Sequence, residues 1–124
     1  MHTHHEVNLD NMYCGRIRRG DVFLYEKTPG ELLPVVVLQD SVLNEGLPTV
    51  MCAHVELGVT GDRVVTEVLL KKQESGLLKD GVCTLHHVDT IDRRLMIAKK
   101  GELSEETLYP IFKALDIVLG RFRD

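Results

Sequence analysis

The chain predicts a mainly β domain: a small, partly open barrel with one α-helix at its C-terminal end. Three observations predict it. Short runs rich in Val, Leu, Phe and Tyr recur along the chain, Gly and Pro punctuate the gaps between them, and a long apolar stripe at helical spacing comes last. At 124 residues this is one domain, because single cores run roughly 100–200 residues. The expected division is a polar, weakly periodic N-terminal tail over 1–15 and a single barrel domain over 16–124.

The organising stretch is RGDVFLYEKTPGELLPVVVLQD. A first strand over 21–26 alternates apolar and polar residues, and a tight turn follows at Thr28-Pro29-Gly30-Glu31. A second strand over 34–39 carries three consecutive valines, the mark of a strand buried on both faces. Pro34 is placed at its start, where a missing N–H removes no ladder bond. Asp40 or Ser41 caps a short helical turn that ends at Gly46-Leu47-Pro48. A third strand over 49–56 puts Met51, Ala53 and Val55 on one face and Cys52, His54 and Glu56 on the other. After a loop over 58–62 comes a fourth strand over 63–70, then a charged connection around Gly76.

The fifth strand is read over 81–88, with Val82, Thr84, His86 and Val88 pointing one way and Cys83, Leu85 and His87 the other. A short sixth strand is placed near 95–98. Ser104 caps the final helix, Glu105 and Glu106 complement its dipole, and Gly120 ends it. Leu108, Ile111, Phe112, Leu115, Val118 and Leu119 form its apolar stripe. Pro110 lies beyond the first turn and predicts a kink or a restart.

Composition excludes several classes of function. Apolar residues make 44% and charged residues 27%, the proportions of a globular protein with its own core. No run of 18 apolar residues predicts a membrane span, and MHTHHEV lacks the apolar core of a signal peptide. A cytoplasmic protein is expected, with no membrane partner. Cys14, Cys52 and Cys83 are odd in number and show no C-x-x-C spacing, so they read as reduced thiols. Cys52 and Cys83 would act as small hydrophobes within strands. His2, His4 and His5 could chelate a metal, but a terminal His cluster is read as incidental, and neither a metal nor a cofactor is assigned. A net charge of −4 gives no global basic field, so a nucleic acid would need a local patch.

RRGDVFLYEKTP, LPVVVLQD, LPTVMCAHVE and TEVLLKKQESGLLKDGVCTLHHVDTIDRR together resemble the MazF/PemK family of toxins. The resemblance runs over about 18–120, and its most specific part is Asp89-Thr90-Ile91-Asp92 at the family's distance after Lys79-Asp80-Gly81-Val82. It implies an SH3-like barrel, related in fold to CcdB, that forms a homodimer. It also implies a metal-independent endoribonuclease, the toxin of a type II toxin–antitoxin system, cutting single-stranded RNA and neutralised by a cognate antitoxin. The chain departs from the pattern at both usual catalytic groups. The first loop is short, the Arg before the strand-two Pro is Leu33, and the Thr or Ser closing strand three is Glu56.

Other residues could supply the chemistry. Metal-free RNA cleavage needs a base for the 2′-OH, an acid for the 5′-oxygen, and positive charge at the phosphate. Glu56, His86 and His54 are the catalytic candidates, His86 lying where some family members place an acidic catalytic residue. A carboxylate base paired with an imidazolium acid is competent if both face one groove. Glu56 read as a solvated strand end, and His54 as a hydrogen-bonded half-buried ring, are the plain alternatives. His87 is read as structural. Arg18, Arg19, Arg93, Arg94 and Lys72 are the candidate RNA-binding cations. Aromatic residues are 5% of the chain, and only Phe23, Tyr25, Phe112 and a few others could stack bases. The competing reading is a degenerate MazF-like or CcdB-like protein that acts through a protein contact; a structural or regulatory dimer is a third.

Overall fold

A computed structural model describes residues 9–59 and 64–122. The terminal histidines, the centre of the 58–62 loop and Arg63 lie outside that range. Six strands form one antiparallel sheet in the order β4-β5-β3-β2-β1-β6. They are β1 (Asp21–Thr28), β2 (Glu31–Val37), β3 (Thr49–Leu57), β4 (Glu67–Leu70), β5 (Gly81–Asp92) and β6 (Met96–Glu102). Three α-helices accompany them among the described residues: α1 (Ser41–Gly46), α2 (Lys72–Ser75) and α3 (Glu105–Leu119). The sheet curls without closing, which is the partly open barrel that the sequence predicts. No helix among the described residues is long and apolar enough to cross a membrane.

The valine run explains the centre of the sheet. Val35, Val36 and Val37 are all fully buried. Val36 joins one core with Val22, Ala53, Leu85, Leu108 and Ile111, while Val35 and Val37 join a second with Phe23, Val50, Cys52 and Met96. Period two sends successive side chains to opposite faces, so a strand with apolar residues at every position needs a core on each side. β2 starts three residues earlier than expected, at Glu31, and Pro34 falls inside it opposite Leu24. Pairing with β3 begins only at Val35, so Pro34 occupies an edge-like stretch that tolerates its missing N–H.

Helix α3 covers the first core with Leu108, Ile111 and Ala114. Burying Leu108 and Ile111 contributes about 1.5–3 kcal/mol each. Ser104 caps the helix through the Thr107 N–H, and Gly120 ends it at φ 70°. The expected break at Pro110 does not occur, and the helix runs through it to Leu119. Pro110 stands on the exposed face, in only the second turn, so the lost amide bond is met near an end already open to water. The stripe is buried at its start alone: Val118 and Leu119 are exposed.

Three further expectations shift. β4 starts at Glu67 because Val65-Thr66 makes a turn, closed by the Glu67 N–H on the Val64 carbonyl. The charged connection after it holds the one-turn helix α2, ended by Gly76 at φ 75°. Of the expected tail, Tyr13 sets its ring edge-on against Phe23 at 4.9 Å and donates its N–H to the Met96 carbonyl.

Buried Asn44 ties α1 to the barrel. Its Nδ2 donates to the Ile17 and Gln39 carbonyls at 3.0 and 3.1 Å, and its Oδ1 accepts from Gln39 Nε2 at 2.8 Å. Asn44→Ala strands the buried Ile17 carbonyl and the half-buried Gln39 carbonyl and is expected to lower stability by about 2 kcal/mol in urea unfolding.

Asp92, at the end of β5, accepts from the Arg94 backbone N–H and from its guanidinium, at 2.7 Å for the shortest contact. The Arg94 hydrogen bond holds the Asp92 carboxyl below its ordinary 3.8. A depressed carboxyl contributes stability above its unfolded value and loses it as pH falls through the folded one. Asp92→Asn is therefore expected to flatten the loss of urea midpoint between about pH 5 and pH 3 relative to the parent chain.

Candidate active site

β3 and β5 build the site, and an irregularity in their pairing shapes it. Thr49 to Ala53 pair regularly with Asp92 to Val88, but His54 pairs with Thr84. One step on β3 thus spans four on β5, leaving residues 85–87 out of that ladder, and the Leu85 N–H turns to the Thr66 carbonyl. A bulge of this kind re-aims side chains. Val88 accordingly packs on the core with Cys83 and Leu85. His87 moves to the side of His86 instead of opposing it.

A cavity of about 510 Å³ results, lined by His54, Val55, Glu56, Glu67, Thr84, His86 and His87. All three catalytic candidates, Glu56, His54 and His86, therefore lie in one cleft. Glu56 is exposed at the end of β3. His86 Nδ1 hydrogen-bonds Thr66 Oγ1 at 2.7 Å, which fixes the ring. His54 is better sheltered, with 13% of its side chain exposed, and its Nε2 lies 2.8 Å from Asp89 Oδ2. A carboxylate only accepts, so His54 Nε2 carries the proton. The His87 ring stacks on His54 with centroids 3.9 Å apart at 17°, and its Nε2 lies 3.7 Å from the same Asp89 oxygen. Tyr25 presents its ring to His54 at 5.8 Å; burial first, then Asp89, raises its phenol above the ordinary value.

The five cations stand elsewhere. Arg93 donates to the Asn44 and Gly15 carbonyls and so braces α1. Arg94 is held by Asp92. Arg19 lies 5.1 Å over the Phe112 ring and 3.9 Å from Glu105, and Arg18 lines a separate hollow beside α1. Lys72 borders another hollow with Lys79 and Asp80. The residues lining the candidate cleft thus include none of these five. Leu33, at the position of the family arginine, packs on the second core. Phe23 is fully buried and Tyr25 nearly so, which removes both from any base-stacking surface. Cys52 and Cys83 are buried, burial pushes each thiol up to about 12, and Cys14 is exposed.

Reading by period two missed His87, Asp89, Glu67 and Thr66. Glu67 and Thr66 lie across a turn whose position decides their side. The placement of His87 and Asp89 depends on the bulge.

Over residues 18–119 the chain matches the family described as PemK-like, MazF-like toxins of type II toxin–antitoxin systems. It is 36% identical over 110 residues to the endoribonuclease MazF of Staphylococcus epidermidis, covering 84% of this chain and 92% of that protein. Identity to the endoribonuclease MazF of Staphylococcus saprophyticus is 32%, with the same coverage. In fold, it superimposes on a mycobacterial endoribonuclease solved with its cognate antitoxin (TM-score 0.72, 20% identity, 84% of this chain and 95% of that one). A MazE–MazF structure from Deinococcus radiodurans gives TM-score 0.73 at 21% identity, over 86% and 98% of the two chains. The sequence match and the shared fold agree, and the chain belongs to the PemK-like, MazF-like toxin family.

Proposed function

We propose that this toxin is an endoribonuclease that cuts single-stranded RNA in the β3–β5 cleft without a metal ion, using Glu56 as base and His86 as acid. The observation that carries the reading is the convergence of Glu56, His54 and His86 on one cavity. Glu56 removes the proton from the 2′-OH, whose oxygen attacks the adjacent phosphorus. The bond from phosphorus to the 5′-oxygen breaks, and the His86 imidazolium protonates that oxygen. The products are a 2′,3′-cyclic phosphate and a 5′-OH end. Charge growing on the phosphate falls to the imidazole rings, since the arginine position of the family is filled by Leu33. Single-stranded RNA fits because a splayed chain can enter an open groove that a duplex cannot.

A cognate antitoxin is the expected partner, as in the mycobacterial and Deinococcus complexes, and its segment would fold onto the toxin on binding. The toxin acts in the cytoplasm as a homodimer, and light scattering at micromolar concentration is expected to give twice the chain mass. The decisive experiment incubates the purified chain with an unstructured RNA oligonucleotide in EDTA. Cleavage with cyclic phosphate ends is expected. No cleavage at any salt concentration would overturn the reading and leave a toxin acting by protein contact.

A further inference from the structure

We propose that His54, His87 and Asp89 form a binding site for a divalent transition metal ion of the Zn²⁺, Cu²⁺ and Ni²⁺ class, whose occupancy withdraws His54 from the RNA cleft. One ring nitrogen from each histidine and one Asp89 oxygen all lie within 4.8 Å of one another. The two nitrogen–oxygen separations are 2.8 and 3.7 Å. A tetrahedral ion with bonds of about 2.1 Å sets its donors roughly 3.4 Å apart, between those two values. Both rings turn Nε2 toward the same carboxylate oxygen. Their planes, stacked at 17°, hold the two lone pairs parallel. An ion must therefore draw the exposed His87 ring out of the stack to meet all three donors, and it then takes the position of the His54 Nε2 proton.

The donors also select the ion. Two imidazoles and one carboxylate suit Zn²⁺, Cu²⁺ or Ni²⁺, while Mg²⁺ and Ca²⁺ prefer oxygen alone. Three protein ligands leave a fourth position for water, and the exposed side chains of His87 (61%) and Asp89 (56%) provide the approach. The bulge in β5 makes the site possible. Regular alternation would carry His87 to the other face of the sheet, whereas residues 85–87 leave the ladder and the His87 ring lands on His54.

Only the regulatory consequence rests on the ribonuclease reading, because His54 lines the catalytic cavity. The metal would brake cleavage, so the rate expected in EDTA is the unbraked one.

The test titrates the metal-free full chain with ZnCl₂ and follows the histidine ring signals in ¹H–¹⁵N spectra, assigned by single substitutions. This separates the site from the terminal histidines. The His54 and His87 signals are expected to move together to an endpoint, and Mg²⁺ is expected to leave them in place. His87→Ala, or His87→Gln if the first variant folds poorly, is expected to weaken Zn²⁺ binding at His54 by more than about 10-fold, as is Asp89→Asn. A His54 ring that ignores Zn²⁺ in hundred-fold excess, or binds it equally tightly without His87, overturns the site and leaves a plain His54–Asp89 hydrogen bond. Zn²⁺ bound by both rings with an unchanged cleavage rate overturns the brake. Binding is read without RNA, so loss of the metal site and loss of the ribonuclease reading are separate results.

Discussion

Gly76→Ala is expected to destabilise the domain by about 3 kcal/mol, the largest loss from a Gly→Ala change among the described glycines. Gly76 ends α2 at φ 75°, where its N–H donates to the Lys72 carbonyl. An L-residue in that conformation costs about 1–2 kcal/mol. The second contribution is steric. A Cβ at Gly76 would overlap the carbonyl oxygen of Lys100 in β6, and the reciprocal Gly101 would meet the Ser75 carbonyl in the same way. β6 cannot retreat freely, because Lys99 and Gly101 are paired with Phe23 and Val22 of β1. The contact matters because β4 and β6 are the two edges of the open sheet and α2, directly after β4, bridges toward β6. Gly30→Ala is the control. Gly30 also has positive φ, 84°, but its Cβ would stand in open space. It should lose only the conformational part, about 1 kcal/mol. Equal urea midpoints for the two variants would show that the seam between α2 and β6 carries no weight.

That seam marks where sequence reading stops. The valine run disclosed a strand with a core on each side because burial on two faces leaves no polar alternation. The final helix was legible from its Ser104 cap and its stripe at 3.6-residue spacing. Asp40 announced α1 in the same local way. Each of these signals lies within a few residues of the feature it predicts. Gly76 and Lys100 are 24 positions apart, and nothing near either one states that their backbones meet. The site divides similarly. Period two placed His54 and Glu56 correctly on one face of β3, and the family resemblance directed attention to His86. The same rule sent His87 to the wrong side, because a bulge is a property of two strands in register and leaves no trace in the alternation of one. The five cations were chosen by charge alone, and charge does not say whether an arginine braces α1, as Arg93 does, or faces a substrate.

Glu56→Gln and His86→Ala are each expected to lower kcat/KM for RNA cleavage by about 10²–10⁴-fold, with little change in RNA binding. Glutamine keeps the size of Glu56 and removes its ability to take a proton, so a role in solvation alone would leave the rate intact. Alanine at His86 removes the leaving-group acid. If both groups act in one transition state, the double variant will be barely slower than either single one, because the second loss falls on a reaction already deprived of concerted proton transfer. Thr66→Val offers a graded comparison, since Thr66 only holds the His86 ring through its 2.7 Å hydrogen bond. It should lower the rate by about 10-fold through misplacement while leaving the acid present. Arg94→Ala separates chemistry from charge: its guanidinium is bound to Asp92 outside the cleft, and its loss should leave kcat unchanged. A Glu56→Gln rate within a factor of about three of the parent would return Glu56 to a solvated strand end. Proton abstraction would then pass to His54, the remaining candidate in the cavity, because its Nε2–H is donated to Asp89 and its Nδ1 is left as the ring's basic nitrogen.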